Sequence, residues 1–466
     1  MVRRPGLLAG LALHVAGASL QHEGARAVEL RLNASVPLAL TAQNFLGANI
    51  DTASLYQGTE PHRLDFSDPG LLALGRAFAV AGEGPSTLRI GGSTADDAGW
   101  GAGAASPGNP RQPSPGNGPL GSQRVVIDEA YWDEICRFVS STGFELAWDL
   151  NALRMRTPAN TWNASNAEAQ LKYVAARPAQ AGLLKAVQLG NEPGHSMVET
   201  PEQHGADFLQ LRELLGRTFA HDPSSAPLIQ GPDVCFGLGF FGPSGGDKCA
   251  NLTYFQRLLT AAQVSPGTSA IDQITVHNYE LSGPSWNGST YIPHGCTLEN
   301  LLNPAAWEEK MTSVLAGWRR VQLAVAPRSK LILSETATTG DGGCVNASNT
   351  FAAGFSWVHQ LGLVSRLGYW HAYRQDLVGF SGIGGGSSYA LAGPPGWVGG
   401  GAAAARGGDG RERAQAPPHV GPWPTGPLHA NPAFCAAPPP PPPACVSSVP
   451  DPGCCRVQIR PCFGSG

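Results

Sequence analysis

Between residues 40 and 380, short apolar runs alternate with amphipathic helical stretches, and no other feature restricts the fold as sharply. Ser86-Thr87-Leu88-Arg89-Ile90 reads as a strand ending at Gly91-Gly92. Tyr131 to Thr142 then puts Trp132, Ile135, Phe138 and Val139 on one helical face and stops at Gly143. Phe144 to Leu150, Leu183 to Leu189, Leu228-Ile229, Ile271 to Val276 and Lys330 to Leu333 read as further strands. Helices are predicted over 208–219, 254–262 and 307–325. Sustained alternation of this kind is the signature of a (β/α)8 barrel or of a doubly wound parallel sheet. No GxGxxG opens the first helix, which weakens the dinucleotide-binding form of the second.

Two acidic residues occupy equivalent places in this repeat. Glu192 follows the run 186–189 within Gly190-Asn191-Glu192-Pro193, and Glu335 follows 330–333 within Ser334-Glu335-Thr336. A parallel barrel gathers its chemistry at the carboxyl ends of its strands, so the two side chains are expected at one mouth. A lone loop glutamate is more often a solvated carboxylate; a pair in register is better explained by chemistry. Glycoside cleavage needs one carboxyl group to protonate the leaving oxygen and an ionised one to attack the anomeric carbon. Asn191, one residue before the first acid, stands where an amide would bond the sugar 2-hydroxyl.

Composition changes regime near Phe380. Residues 381–466 hold 17 Gly and 17 Pro in 86 positions, including Gly384-Gly385-Gly386 and six prolines from Pro438 to Pro443. Such a segment is expected to be a disordered, low-complexity tail, because it buries too little apolar surface to offset its chain entropy. At the other end, Arg3-Arg4, the mostly apolar Gly6 to Val15 and Ala16-Gly17-Ala18 read as a signal peptide over 1–18. Five N-x-S/T sequons (Asn33, Asn163, Asn251, Asn287, Asn346) accord with a secreted or endomembrane-lumen location. Of ten cysteines, five precede Phe380; Cys235 and Cys249 are near enough to close a loop, although spacing does not decide pairing. A net charge of −4 opposes a nucleic-acid partner, and no internal apolar run reaches membrane-spanning length. No zinc-type Cys/His spacing occurs, so neither a metal nor a cofactor is expected. Gly242-Pro243-Ser244-Gly245-Gly246 matches a nucleophile elbow, but no strand leads into it.

A family resemblance joins these residues. The segments Gly47-Ala48-Asn49-Ile50-Asp51, Leu88-Arg89-Ile90-Gly91-Gly92-Ser93, Asp149-Leu150-Asn151-Ala152-Leu153 and 161–167 come in order, followed by Gln188-Leu189-Gly190-Asn191-Glu192-Pro193. Then come 231–234, Val276-His277-Asn278-Tyr279, Ser334-Glu335-Thr336, 350–355 and Arg374-Gln375. Over about residues 40–380 the chain resembles the heparanase-like β-glucuronidases, retaining clan-A barrel glycosidases. The resemblance implies a TIM-type barrel over 41–380, Glu192 as acid/base and Glu335 as nucleophile. It also implies sugar contacts from Asp51, Ser93, Asn191 and Tyr279 and from the backbone amides of Gly342 and Gly343. Read without the family, Asp51 and Ser93 are ordinary cap or turn residues, and His277 is a packed polar residue near the mouth.

The resemblance also sets expectations that this sequence breaks. After Arg374-Gln375 the family continues with a last barrel strand and a C-terminal β-sandwich, where this chain turns Gly- and Pro-rich. The expectation is therefore a barrel without its eighth strand, and an N-terminal strand over 27–40 left without a partner. Basic runs are sparse, the densest being Arg154/Arg156 and Arg319-Arg320, which argues against a strongly sulfated substrate. Two classes stay open: an enzyme cleaving glucuronic-acid-containing glycans, and a non-catalytic glycan-binding or truncated relative. The first is favoured by retention of both glutamates, the second by the missing strand.

Overall fold

The computed structural model describes residues 28–33, 39–55, 64–79, 84–101, 125–152, 155–193, 200–237, 252–281, 285–286, 291–292, 295–340, 343–344, 346–379, 391 and 454–459. The expected signal peptide lies outside these residues, as do Asn251, Asn287, Cys249, Gly342 and most of the tail. Two compact units divide the chain, residues 39–430 and the two ends, 1–38 with 431–466.

The larger unit is a closed barrel of eight parallel strands. They are β1 (Leu46–Asp51), β2 (Thr87–Gly91), β3 (Glu145–Leu150), β4 (Leu184–Leu189), β5 (Leu228–Gly237), β6 (Gln273–Tyr279), β7 (Lys330–Thr336) and β8 (His371–Arg374). The eighth strand is present. Ala372, Tyr373 and Arg374 pair with Leu46, Gly47 and Ala48 and close the ring, which corrects the expectation of a barrel lacking it. His371-Ala372-Tyr373-Arg374 is too short and too mixed to stand out as an apolar run; neighbours β7 and β1 select it by hydrogen bonding.

Seven helices each follow a strand: α1 (Pro69–Ala79), α2 (Glu129–Thr142), α3 (Ser165–Ala175), α4 (Pro201–Thr218), α5 (Leu252–Ala261), α6 (Glu308–Val325) and α7 (Ala352–Arg366). Local chemistry sets their ends. Asp128 caps α2 by accepting from the Tyr131 amide, and Gly143 ends it at φ 85°, a left-handed conformation that suits glycine. Helix α4 begins well before the expected residue 208, because Thr200 and Gln203 form a reciprocal capping box with Pro201 in the first turn. Strand β5 likewise runs on past Ile229 through Gly231-Pro232. Trp132, Phe138, Phe208, Phe255 and Trp318 are wholly buried in the core. Inside the ring, Gln188, Gln230 and Tyr373 make a polar layer: Gln188 donates to Gln230 at 3.1 Å, and Gln230 donates to the Tyr373 hydroxyl at 3.2 Å.

In the smaller unit, Val28–Asn33 pairs antiparallel with Cys454–Ile459, Leu30 standing opposite Val457. This corrects two expectations, an unpartnered N-terminal strand and a tail without structure to its end. The sequence signal is a two-residue alternation at Val457 and Ile459 in a short segment between prolines. Elsewhere, Cys296 and Cys344 form a disulfide between the loops after β6 and β7. Cys136 is buried and free, and Cys235 is disulfide-bonded. Asn163 and Asn346 are exposed. No described helix is long and apolar enough to cross a membrane.

Candidate active site

Strands β1 to β7 each send a buried or half-buried polar side chain toward a network at the carboxyl-end mouth, and Tyr373 of β8 joins the same network from below through Gln230 and Gln188. Arg89 on β2 is its centre. Wholly buried, its guanidinium donates to Gln188 Oε1 at 2.7 Å, Glu335 Oε2 at 2.8 Å, Asn191 Oδ1 at 2.8 Å and Asp233 Oδ2 at 3.3 Å. Asp149 lies 3.7 Å from it. A buried cation is tolerable only when opposite charge and acceptors surround it in this way.

Glu335 and Glu192 meet across His277. Glu335 accepts from Arg89 on one oxygen and from the Tyr279 hydroxyl, at 2.5 Å, on the other. His277 Nδ1 lies 3.0 Å from Glu192 Oε1 and 3.6 Å from Glu335 Oε2, while its Nε2 lies 3.1 Å from Asp233 Oδ1. One oxygen of each glutamate and a ring nitrogen of His277 fall within 4.8 Å of one another. This is also the one group among the described residues with a metal-binding donor set, though His277 already faces acidic groups on both sides. Glu192 is the more open of the two carboxylates, 21% exposed against 9%.

Electrostatics divide the groups. Burial pushes the Glu335 carboxyl upward, but the charges of His277 and Arg89 and the bonds from Tyr279 and Arg89 outweigh it and hold the group below the ordinary carboxylate range. Burial alone would neutralise His277; Glu335, Asp233 and Glu192 around it reverse that and raise it to about 10, so it is an imidazolium at neutral pH. Asp51, at the end of β1, is raised by burial to about 7, assisted by the neighbouring Glu335 charge. Asp376, just past β8, is wholly buried and raised well above the ordinary value, by burial first and by Asp51 second.

The sequence-derived residues divide accordingly. Glu192, Glu335, Asn191, Tyr279 and Ser93 come together: the Asn191 side-chain amide donates to Ser93 Oγ at 3.4 Å, and Tyr279 holds Glu335 directly. Asp51 reaches the same mouth through Gln375, whose amide lies 3.4 Å from its Oδ2. Gly343 has the expected left-handed φ, 82°, but its amide donates to the Gly340 carbonyl at 3.0 Å. That amide bonds within the turn in this conformation. Gly342 lies outside the described residues.

Sequence reasoning passed over Arg89, Asp233 and the bridging role of His277. The signal for His277 is its two-residue spacing from Tyr279, which puts both on one face of β6, toward Glu335. For Arg89 the only signal is a charge inside the apolar run Leu88-Arg89-Ile90, which alternation reads as a solvent-facing position.

Known proteins resemble this chain in sequence. It is 31% identical over 262 residues to heparanase of Gallus gallus, covering 55% of this chain and 44% of that protein. Against heparanase of Bos taurus the identity is 30% over 252 residues, covering 53% of this chain and 40% of the relative. It is 27% identical over 249 residues to a Homo sapiens protein named inactive heparanase-2, covering 52% and 36%. The chain thus spans less than half the length of each of these relatives. The family described as glycosyl hydrolase family 79, N-terminal domain, matches residues 28–362. With that match over most of its length, the chain belongs to glycosyl hydrolase family 79.

Proposed function

We propose that this chain is a retaining β-glycoside hydrolase, with Glu335 as nucleophile and Glu192 as acid/base. The observation that carries this reading is the opposition of the two carboxylates, with an oxygen of each inside 4.8 Å. Retaining chemistry uses carboxyl groups about 5–5.5 Å apart, whereas inversion needs roughly 6.5–9.5 Å to admit a water. In the first step Glu335 attacks the anomeric carbon as the bond to the leaving oxygen breaks, and Glu192 gives that oxygen its proton. A water then attacks the glycosyl-enzyme, yielding its proton to Glu192 and releasing Glu335. Arg89 and Tyr279 keep Glu335 ionised and aimed. His277 lies against both carboxylates, so its positive charge balances the pair throughout.

The substrate we propose is a glycan containing β-linked glucuronic acid, on the strength of the family and of the heparanases it resembles. The loop after β7 that carries Gly342 and Gly343 is the proposed seat of the sugar carboxylate, and the Gly343 amide would have to turn from the Gly340 carbonyl to receive it. A second reading, a non-catalytic glycan binder, is favoured by one observation: a relative of comparable identity is named inactive.

The test compares aryl β-glucuronides with aryl β-glucosides, following the first-formed anomer by NMR. Net retention is expected. Glu335→Gln should lower turnover about a thousandfold or more, and Glu192→Gln should spare kcat/KM only for activated leaving groups. Undiminished turnover in Glu335→Gln, or an inverted product, overturns the assignment.

A further inference from the structure

Glu192 projects from a backbone turn that the chain does not adopt freely. Gly190 has φ 75° and Glu192 φ 49°, the latter in the left-handed region that a residue with a β-carbon seldom occupies. Three successive amides hold this turn. Gly190 N–H donates to the Leu150 carbonyl at 2.9 Å, Asn191 N–H to Asp96 Oδ2 at 3.2 Å, and Glu192 N–H to the Asp233 carbonyl at 3.1 Å. Of the three acceptors, Asp96 alone is a side chain.

Asp96 lies in the short turn Ser93–Asp97 that follows β2 and is 2% exposed. Its other oxygen accepts from the Ala152 amide at 3.0 Å, just past β3. One carboxylate thus ties the loops after β2, β3 and β4 together at the residue preceding the proposed acid/base. Ser93, in the same turn, meets the Asn191 side chain, so both ends of Asn191 are fixed from one loop. The second of these bonds falls at Asn191, between the two left-handed residues whose backbone sets the direction of Glu192.

We infer that Asp96 is a positioning residue for proton transfer, aiming Glu192 at the leaving oxygen through the Asn191 backbone amide. The inference rests on the reading of Glu192 as acid/base. In the glycosylation step a misdirected acid/base matters only when the leaving group needs a proton, whereas loss of general structure lowers kcat/KM on all substrates together.

The experiment uses the full chain and two substrates: a phenyl β-glucuronide, whose leaving group needs protonation, and a 2,4-dinitrophenyl β-glucuronide, whose leaving group departs unaided. In D96N an amide NH2 replaces one acceptor oxygen and opposes an N–H. The expected result is a loss of about 30-fold in kcat/KM, which reports the glycosylation step, on the phenyl substrate and of at most about threefold on the dinitrophenyl one. Equal losses on both overturn the inference. E192Q, run alongside, must show the same split more steeply. If it does not, the acid/base reading fails; if it does and D96N shows none, only the role of Asp96 fails. Should D96N not fold, D96E keeps both oxygens on a longer arm and must show the same split. If the wild type cleaves neither substrate, the glycosidase reading falls, and the anchoring itself is then read by hydrogen exchange. The Asn191 amide should exchange at least about tenfold faster in D96N, and an unchanged rate overturns it.

Discussion

At the scale of single residues, Arg89 imposes most of the order at the mouth, because its guanidinium meets Glu335, Asp233, Gln188 and Asn191 at once in a site closed to water. Arg89→Met keeps the length of the side chain and removes the charge, leaving buried carboxylates uncompensated. The expected cost is about 3–5 kcal/mol in urea unfolding. The acidic limb of the pH–rate profile should also move upward, since Glu335 loses one of the charges that hold it ionised. A stability unchanged within error would refute the central role given to Arg89. His277 predicts a second pH effect. Its value in the folded chain, about 10, exceeds the ordinary 6.5, so its stabilisation is complete below about pH 6.5 and is lost as pH rises through about 10. Asp51, raised to about 7, acts in the same direction at lower pH, because burial favours its neutral form. The urea midpoint should therefore fall from pH 7 to 10, and His277→Gln should flatten that fall. A midpoint rising over the same range would contradict an imidazolium between the two glutamates.

At the scale of elements, the seam between β8 and β1 leaves no room for a further atom. A β-carbon on Gly47 would stand 2.2 Å from the Tyr373 ring and 2.8 Å from the Thr87 carbonyl oxygen, so neither neighbour leaves room for it. Gly47→Ala is expected to destabilise by about 1–3 kcal/mol through overpacking, measured by thermal or urea unfolding, whereas the open Gly354→Ala should not destabilise. The Cys296–Cys344 bridge fastens the loops after β6 and β7, which flank His277 and Glu335, across a sequence separation of 48. In the chain-entropy limit such a link contributes about 4 kcal/mol, so reduction should lower the melting temperature. The same seam explains what could be read in advance. Strands β2, β3, β4 and β7 are apolar runs bounded by helices, so the alternation that exposes them also puts Glu192 and Glu335 at strand ends. Strand β8 is four residues of mixed polarity, and its existence depends on Leu46–Ala48 and on Ile332–Thr336 offering edges on either side. Arg89 and Asp233 stayed hidden for a related reason. Each is a charge neutralised by partners on other strands, as far as 246 residues away in sequence, and no local pattern records a distant partner.

At the scale of the whole molecule, the sign of charge bears on which glycans can be approached. The chain carries −4 overall; at the mouth burial holds Asp51, Asp149 and Asp376 toward their neutral forms, and Asp233 faces Arg89 and His277, so the site itself offsets little of that charge. The basic positions that could have offset this are partly occupied. Arg156 is buried against Asp207 at 2.9 Å, and Arg319 donates to Gln322. A polyanionic glycan therefore meets a field of its own sign on approach, while a small aryl glycoside meets almost none. Raising NaCl from about 0.01 M to about 0.15 M shortens the screening length from about 30 Å to about 8 Å, which removes most of the long-range repulsion and leaves contacts inside the mouth nearly intact. The expected outcome is a kcat/KM that rises severalfold with salt for a sulfated glucuronan and stays within about twofold for an aryl β-glucuronide, because steering acts on association rather than on the chemical step. Measured as initial rates across a salt series at fixed pH, a fall with salt on the polymer would require a basic surface along the glycan path, and with it a strongly sulfated chain as the natural substrate.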